Sequence, residues 1–233
     1  MAALRLIPWL AMQQLLDSAL PIGGFSHSFG LETMVQEKRI STADQLERYA
    51  ETMLLQSWAT GDALVVKALY EAAEEGGDWE RAWRIERLVH IQRIGSESRA
   101  GTEKMGKRLL QLAAAMHPQL DWEPLQAAYR AGACLATHSL VHGFVCLRLG
   151  MPLEQAVQGY FYACIVTCVG SALRLMSMGQ TEGQAMIARL AALTEEGWRI
   201  ADSLMPEDAY GNVPMADIMM IRHETLYSRL FMS

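Results

Sequence analysis

Cysteine is scarce in this chain of 233 residues and occurs only four times. None of the four belongs to a CxxC pair, so their spacing indicates neither a zinc site nor a redox motif. All four lie in apolar sequence of helical character, and polar residues interrupt the first apolar stretch before it could form a secretory leader. We therefore expect a cytoplasmic protein with reduced thiols. The four are Cys134, Cys146, Cys164 and Cys168.

The sequence also lacks the short motifs of common catalytic sites. It contains no HExxH and no GxSxG, and none of its six histidines follows a glutamate by three positions, as the helical di-iron signature requires. One stretch, GTEKMGKR from Gly101 to Arg108, nearly spells the phosphate-binding loop GxxxxGK[ST]. Arg108 replaces the hydroxyl that would bind Mg²⁺, and the surrounding pattern is helical, so the loop amides would already be bonded. We predict a non-enzymatic protein without a nucleotide site and without a cofactor.

Positive charge is in short supply, because the net charge is −6. Nucleic-acid binders usually carry a basic face, so the sequence argues against a nucleic acid as partner. Negative charge concentrates in residues 194–217, which hold six acidic residues and one arginine. This segment is either a solvated face or a surface that steers a basic partner.

Helical periodicity dominates the chain, and no convincing alternating strand is present. From Leu46 the apolar residues recur at the i, i+3, i+4, i+7 spacing of one helix face. Ser41 and Asp44 are placed as a capping box before this helix, and Gly61 is the expected break after it. No linker or repeat divides the chain. We predict one all-α domain over residues 1–233, a helical bundle of roughly ten helices.

Two segments, 131–147 and 159–173, are apolar on all sides and carry no charge. Each is shorter than the roughly 20 residues that a membrane span needs. We therefore expect two central helices of a soluble bundle, with no membrane association.

Cys134, His138, His142 and Cys146 follow one another at four-residue steps. On a helix, neighbouring pairs of this set share a face, so two of them could chelate one metal ion. Each step also rotates by about 40°, so all four cannot converge on one ion. Packing in the core or in an interface is the favoured interpretation, and metal binding is the alternative.

Two further segments attract attention for physical reasons. Residues 20–32, LPIGGFSHSFGLE, form a glycine-rich turn with apolar side chains, which is either a packed turn or a partner-binding edge. Residues 218–233 stay apolar up to the penultimate position, although chain ends are usually polar and frayed. Such a C-terminal tail must dock on its own domain or on a partner, and we favour the partner.

At these segments the chain resembles the UreF family of urease accessory proteins. The likeness covers nearly the whole length and depends on four blocks in a specific order and spacing. In one respect the chain departs from the family pattern: Met232 stands where many relatives have a basic residue before the final serine, which leaves the detailed chemistry of the tail open. The blocks are Leu15 to Glu32, Ser96 to Ala113, Ala172 to Gln184, and Ile221 to Ser233.

The resemblance implies an all-α protein without enzyme activity of its own. It implies a complex with a UreD/UreH-type accessory protein and a UreG-type GTPase, which supports GTP-dependent delivery of nickel to apo-urease. It also implies a homodimer within that complex. The contact with the UreD-type partner is expected near Phe25 to Glu32 and His223 to Ser233.

The two segments supply the candidate partner-binding residues. Arg99 and Arg108 are further candidates, for contact with a phosphate of the GTPase in trans, with ion pairs or helix-end contacts as the other interpretation. A helical metallochaperone that binds nickel directly, with His138 and His142 as weak candidates, is the competing function. A small-molecule-binding enzyme is a third possibility and requires a deep pocket with convergent polar groups. The partner-binding candidates are Pro21, Gly23, Gly24, Phe25, Ser26, Gly30, Glu32, His223, Glu224, Tyr227, Ser228, Arg229, Leu230 and Phe231.

Overall fold

Every regular element in the computed structural model, which describes residues 7–232, is a helix. The first half of the chain forms α1 (Pro8–Leu16), α2 (Leu31–Gln36), α3 (Ala43–Met53), α4 (Ala63–Glu74), α5 (Trp79–Gln92) and α6 (Ser96–Met116). The second half forms α7 (Glu123–Arg130), α8 (His138–Arg148), α9 (Leu153–Leu175), α10 (Gln180–Ala192), α11 (Thr194–Ser203) and α12 (Pro214–His223). The predicted all-α class is confirmed. The predicted domain bounds 1–233 reach beyond the described residues at both ends.

The longest helix, α9, runs through the middle of the molecule and packs against α4, α8, α10 and α11. Its side chains Phe161 and Ile165 are fully buried and belong to the same apolar core as Phe144 of α8. By length and composition alone α9 could cross a membrane, but half of its most apolar window is buried inside the protein. The prediction of a central helix over 159–173 therefore describes the middle of a core helix.

The second central helix is shorter than predicted. Residues 131–137 do not belong to it, and α8 begins only at His138. Ala136 has a φ of 56°, a left-handed backbone conformation that a helix cannot contain. The buried carboxylate of Glu86 holds this stretch by accepting hydrogen bonds from the amides of Leu135 (2.8 Å) and Thr137 (2.7 Å). Apolar composition indicated burial correctly only from Cys134 onward, since residues 131–133 are exposed, and it gave no sign of the loop.

The segment that resembles a phosphate-binding loop lies inside α6, as its helical pattern indicates. Gly106 lies where α6 crosses the loop before α8, and a Cβ at this position would stand 2.1 Å from the carbonyl oxygen of Ala136. This glycine therefore permits close approach of two backbones.

Helix α3 continues without a break into α4 through a π-helical stretch, Leu54–Asp62. The expected break at Gly61 is therefore wrong, because the chain stays helical through that residue. The capping box is also displaced by one residue from the predicted pair. Thr42 is the N-cap, its hydroxyl accepts from the amide of Gln45, and the Gln45 side chain bonds back to the Thr42 amide.

Candidate partner-binding site

The two segments that the sequence singles out, from opposite ends of the chain, lie side by side. The amide of Met232 donates to the carbonyl oxygen of Ser26 at 2.8 Å. The Gln36 side chain, in the helix that follows the turn, donates to the carbonyl oxygen of Ser228 at 3.0 Å. We call the surface formed by residues 20–32 and 223–232 the turn–tail surface.

The turn begins with a short 3-10 helix, Gly24–Ser26, preceded by Gly23. The Ser26 hydroxyl donates to the carbonyl oxygen of Gly23 at 2.7 Å and fixes this part of the loop. Gly30 starts α2 with a φ of 88°, and a Cβ there would lie 3.1 Å from the carbonyl oxygen of Ala216 in α12. Glycine has no Cβ, so at this position it adopts the left-handed backbone conformation without strain and leaves room for the close approach of α12.

His223, the last residue of α12, is fully buried between two carboxylates. Its Nε2 lies 2.9 Å from Glu32 Oε2, and its Nδ1 lies 2.9 Å from Glu97 Oε2. An ionised carboxylate only accepts hydrogen bonds, so an imidazolium that donates from both nitrogens satisfies both contacts. This cluster links α12 to α2 and α6.

The Glu32 carboxylate also binds the backbone of the tail. It accepts hydrogen bonds from the amides of Leu230 (2.6 Å) and Phe231 (3.0 Å). Burial acts to raise the pKa of Glu32, but the bonds from His223, Leu230 and Phe231 outweigh burial and hold the pKa below its ordinary value of 4.5. The carboxylate thus fixes the path of the tail after α12 has ended.

Two more tail residues bind the start of α6. Arg229 Nη1 donates to Glu97 Oε1 at 2.6 Å. Glu224 Oε1 accepts from both the amide and the hydroxyl of Ser96, each at 2.8 Å, and so caps α6 from a distant part of the sequence. The hydrogen bond from the Ser96 hydroxyl is the main reason why the pKa of Glu224 lies below its ordinary value.

Arg174 on α9 connects the two halves of the turn–tail surface, although the sequence gave no reason to select it. Its Nη1 donates to the carbonyl oxygen of Phe25 at 2.7 Å, and its guanidinium carbon lies 4.4 Å from the centroid of the Phe231 ring. Glu97 was missed in the same way. Both residues fall within the blocks that resemble the family, but their partners all lie more than 50 residues away in the chain.

The outer side of the turn–tail surface presents apolar side chains to solvent. Phe25 is 71% exposed and Leu230 is 53% exposed, and Tyr227 is fully exposed. Phe231, in contrast, is buried. The tail therefore docks on its own domain through its backbone and Phe231, and it leaves other apolar side chains free to meet a partner.

The two arginine candidates have different surroundings. Arg99 donates to the carbonyl oxygens of Arg93 (2.5 Å) and Ile94 (2.9 Å), at the end of α5, which is the helix-end contact considered above. Arg108 is exposed, and its Nε donates to the carbonyl oxygen of Pro21 at 3.3 Å. Arg108 therefore adds a positive charge at the edge of the turn–tail surface, next to Pro21.

The proposed Cys/His face does not exist as a single helix face. Cys134 lies in the loop before α8, while His138, His142 and Cys146 lie within α8 and are buried. His142 Nε2 donates a hydrogen bond to the carbonyl oxygen of Ala156, 3.0 Å away, so this nitrogen is not free to bind a metal ion. Burial is the main cause that lowers the pKa of His138 to about 4 and of His142 to about 3. Between residues 7 and 232 no group of three or more His, Cys, Asp or Glu residues could hold a metal ion.

Comparison with known proteins gives a consistent result. The family model named UreF matches residues 40–191. The urease accessory protein UreF of Actinobacillus pleuropneumoniae serotype 5b (strain L20) is 31% identical over 227 residues, which covers 96% of this chain and 98% of that protein. The proteins of the same name from Streptococcus salivarius (strain 57.I) and Paenarthrobacter aurescens (strain TC1) are each 28% identical, over 100% and 96% of this chain and over 98% and 97% of their own lengths.

Proposed function

The chain belongs to the UreF family of urease accessory proteins, and from this premise we propose that it serves urease maturation as a non-catalytic assembly factor. In this proposal the protein bridges a UreD/UreH-type accessory protein and a UreG-type GTPase during GTP-dependent delivery of nickel to apo-urease. It works as a cytoplasmic homodimer.

The structure of the turn–tail surface is the main support for this proposal. Its backbone is held by a buried cluster of one histidine and two carboxylates, while Phe25, Tyr227 and Leu230 project outward. A preformed surface with exposed aromatic and aliphatic anchors suits protein binding, since little ordering remains to be done on association. We assign this surface to the UreD/UreH-type partner.

Regulation of the GTPase is a further part of the proposal. Arg108 supports it, because this cation is exposed and lies beside Pro21 in the turn. Arg99 is a weaker candidate for contact with the GTPase, since its Nη1 already donates hydrogen bonds to two carbonyl oxygens.

Reconstitution tests the proposal. Light scattering after size exclusion compares the chain alone, the chain with the UreD-type protein, and both with the GTPase. We expect a defined complex at each step, and we expect apo-urease to be activated by nickel and GTP only when the chain is present. Folded partners that leave the chain unbound would contradict the proposal.

Equilibrium dialysis against Ni²⁺ separates this proposal from the metallochaperone alternative. The buried, already bonded His142 predicts no tight stoichiometric binding by the chain alone. Tight binding that disappears in a His138→Ala/His142→Ala variant would instead support direct nickel binding.

A further inference from the structure

A second surface lies outside the turn–tail surface, between α12 and the loop that joins α5 to α6. It is a groove of about 290 Å³. One wall is held in place by backbone contacts to distant elements: the amide of Tyr210 donates to the carbonyl oxygen of Thr60 at 2.9 Å, and Gln92 Nε2 donates to that of Ala209 at 2.8 Å. The groove is therefore a fixed feature of the fold. Its lining includes Val89, Ile94, Tyr210, Val213, Asp217 and Met220.

Large apolar side chains in and near the groove are exposed to solvent. Ile94, in the α5–α6 loop, lines the groove and is exposed, and Ile91 in the last turn of α5 is 75% exposed. Ile218 and Ile221 are exposed on α12 and stand three positions apart, on one face of that helix. Single exposed apolar residues are ordinary, but Ile94 and Tyr210 are exposed in the lining of the groove, and Ile218 and Ile221 are exposed on the adjoining helix α12, which together indicate a surface that another molecule covers.

A carboxylate without a partner lies in this apolar setting. The Asp217 side chain is partly buried in the groove and makes no hydrogen bond or ion pair with any residue in the described part of the chain. Burial raises its pKa, and only the positive charge of nearby Arg93 acts in the opposite direction. The side chain is not fully buried, so water satisfies its oxygens in the free protein, and an arginine or lysine from another molecule would take the place of that water.

The cations near the groove make their hydrogen bonds to other groups. Arg93 holds the buried Asp62 at 2.5 Å, and Arg99 donates to the carbonyl oxygens of the α5–α6 loop. Arg222 pairs with Glu37 at 2.8 Å on the other side of α12. Of the two charged side chains that line the groove, Arg93 is paired with Asp62, and Asp217, from the acidic segment 194–217, makes no ion pair with any described residue.

We propose that this groove docks a segment of a partner protein that presents an arginine or lysine between aliphatic side chains. The cation pairs with Asp217, its apolar stem lies along Tyr210 and Ile94, and the flanking aliphatic side chains cover Ile218 and Ile221. Helix α12 then serves two surfaces: His223 faces inward and supports the turn–tail surface, while Asp217 and Met220 line the groove. This inference rests on the proposed function only in that it needs an assembled complex.

A photo-crosslinking amino acid in place of Ile218 identifies the occupant. The complex is reconstituted from the chain, the purified UreD-type and UreG-type proteins and apo-urease, and crosslinked peptides are sequenced by mass spectrometry. We expect a crosslink to a partner peptide that contains arginine or lysine beside aliphatic residues. The same probe at Glu182, an exposed residue of α10 outside the groove, is the control. Crosslinks only to a second copy of this chain, or none in an assembled complex, would overturn the proposal.

The isosteric change Asp217→Asn tests the role of the carboxylate without loss of volume. We expect it to weaken binding of the crosslinked partner by about tenfold or more and to flatten the salt dependence of binding. Asp202→Asn, an exposed acid on α11 that does not line the groove, should change neither. Equal effects of the two substitutions would overturn the inference. If no complex assembles even for the wild type, the proposed function fails first and the groove loses its partner with it.

Discussion

At the scale of the residue, the organising feature is a buried charge cluster in which His223 lies between Glu32 and Glu97. Removing Glu32 leaves a ring nitrogen of the buried His223 and two tail amides without their acceptor, which costs more than the net contribution of the intact contacts. Glu32 is the most heavily used member, because its carboxylate also binds the amides of Leu230 and Phe231.

We therefore expect Glu32→Gln to lower the free energy of unfolding by about 1–3 kcal/mol, since the amide cannot accept all the hydrogen bonds of the carboxylate. Urea denaturation measures the change. Glu74→Gln is the matched control, because Glu74 is exposed near the end of α4, and it should stay within about 0.5 kcal/mol of the wild type. If Glu32→Gln unfolded with the same free energy as the wild type, the cluster would not hold the tail.

The pH dependence of the same pair gives a second test. The pKa of Glu32 is lower in the folded protein than its ordinary value of 4.5, so its contribution to stability is complete above pH 4.5 and is lost as the pH falls through the folded-state pKa. We expect the stability difference between wild type and Glu32→Gln to be smaller at about pH 3.5 than at about pH 5.5. A difference that grows on acidification would contradict the assigned direction of the pKa.

Residues of this site were predictable only in part. Glu32, His223, Glu224 and Arg229 followed from the resemblance, not from spacing. Arg174 could not be found, because it contacts the turn and the tail from the middle of a core helix, and the local sequence carries no trace of contacts between distant segments.

At the scale of the element, the contact between α6 and the loop before α8 depends on the absence of a side chain at Gly106. A methyl group there would meet the backbone of Ala136 and Thr137, which cannot move aside as a flexible side chain would. The loop is itself fixed by the carboxylate of Glu86.

We expect Gly106→Ala to destabilise the fold by about 3 kcal/mol or more, through separation of α6 from this loop. Gly170→Ala in α9 is the matched control, since a Cβ at Gly170 meets nothing within 4 Å. That variant should gain about 0.5–1 kcal/mol, because alanine favours the helix. Thermal or urea denaturation of both proteins measures the contrast, and equal effects would refute the packing argument.

Helices with an amphipathic pattern could be predicted, as the apolar residues that recur from Leu46 in α3 illustrate. Boundaries inside all-apolar sequence could not. Residues 131–137 are as apolar as a core helix, yet a left-handed residue and a distant carboxylate turn them into a loop. The π-helical stretch before α4 likewise has no local signature, so Gly61 was mistaken for a break.

At the scale of the whole molecule, the fold brings both ends of the chain to one surface. Residues 20–32 and 223–232 form it together, joined by the backbone bond between Met232 and Ser26 and by the bonds of Glu32 to His223 and Leu230. The fold class and family followed from periodicity and from the four sequence blocks. The joining of the two segments through α2, α6 and α9 required the three-dimensional structure.

The most direct test of the assembly-factor proposal measures binding of the UreD-type partner to a chain whose turn–tail surface is altered only on its outer side. Tyr227→Ala and Leu230→Glu change side chains that are exposed and leave the backbone bonds to Glu32 in place. Tyr129→Ala, a partly exposed tyrosine on α7, is the control.

With calorimetry to measure affinity and circular dichroism to confirm folding, the proposal predicts that the double variant Tyr227→Ala/Leu230→Glu binds at least about a hundredfold more weakly, while Tyr129→Ala binds as the wild type does. Wild-type affinity in the folded double variant would contradict the assignment of the turn–tail surface to the partner.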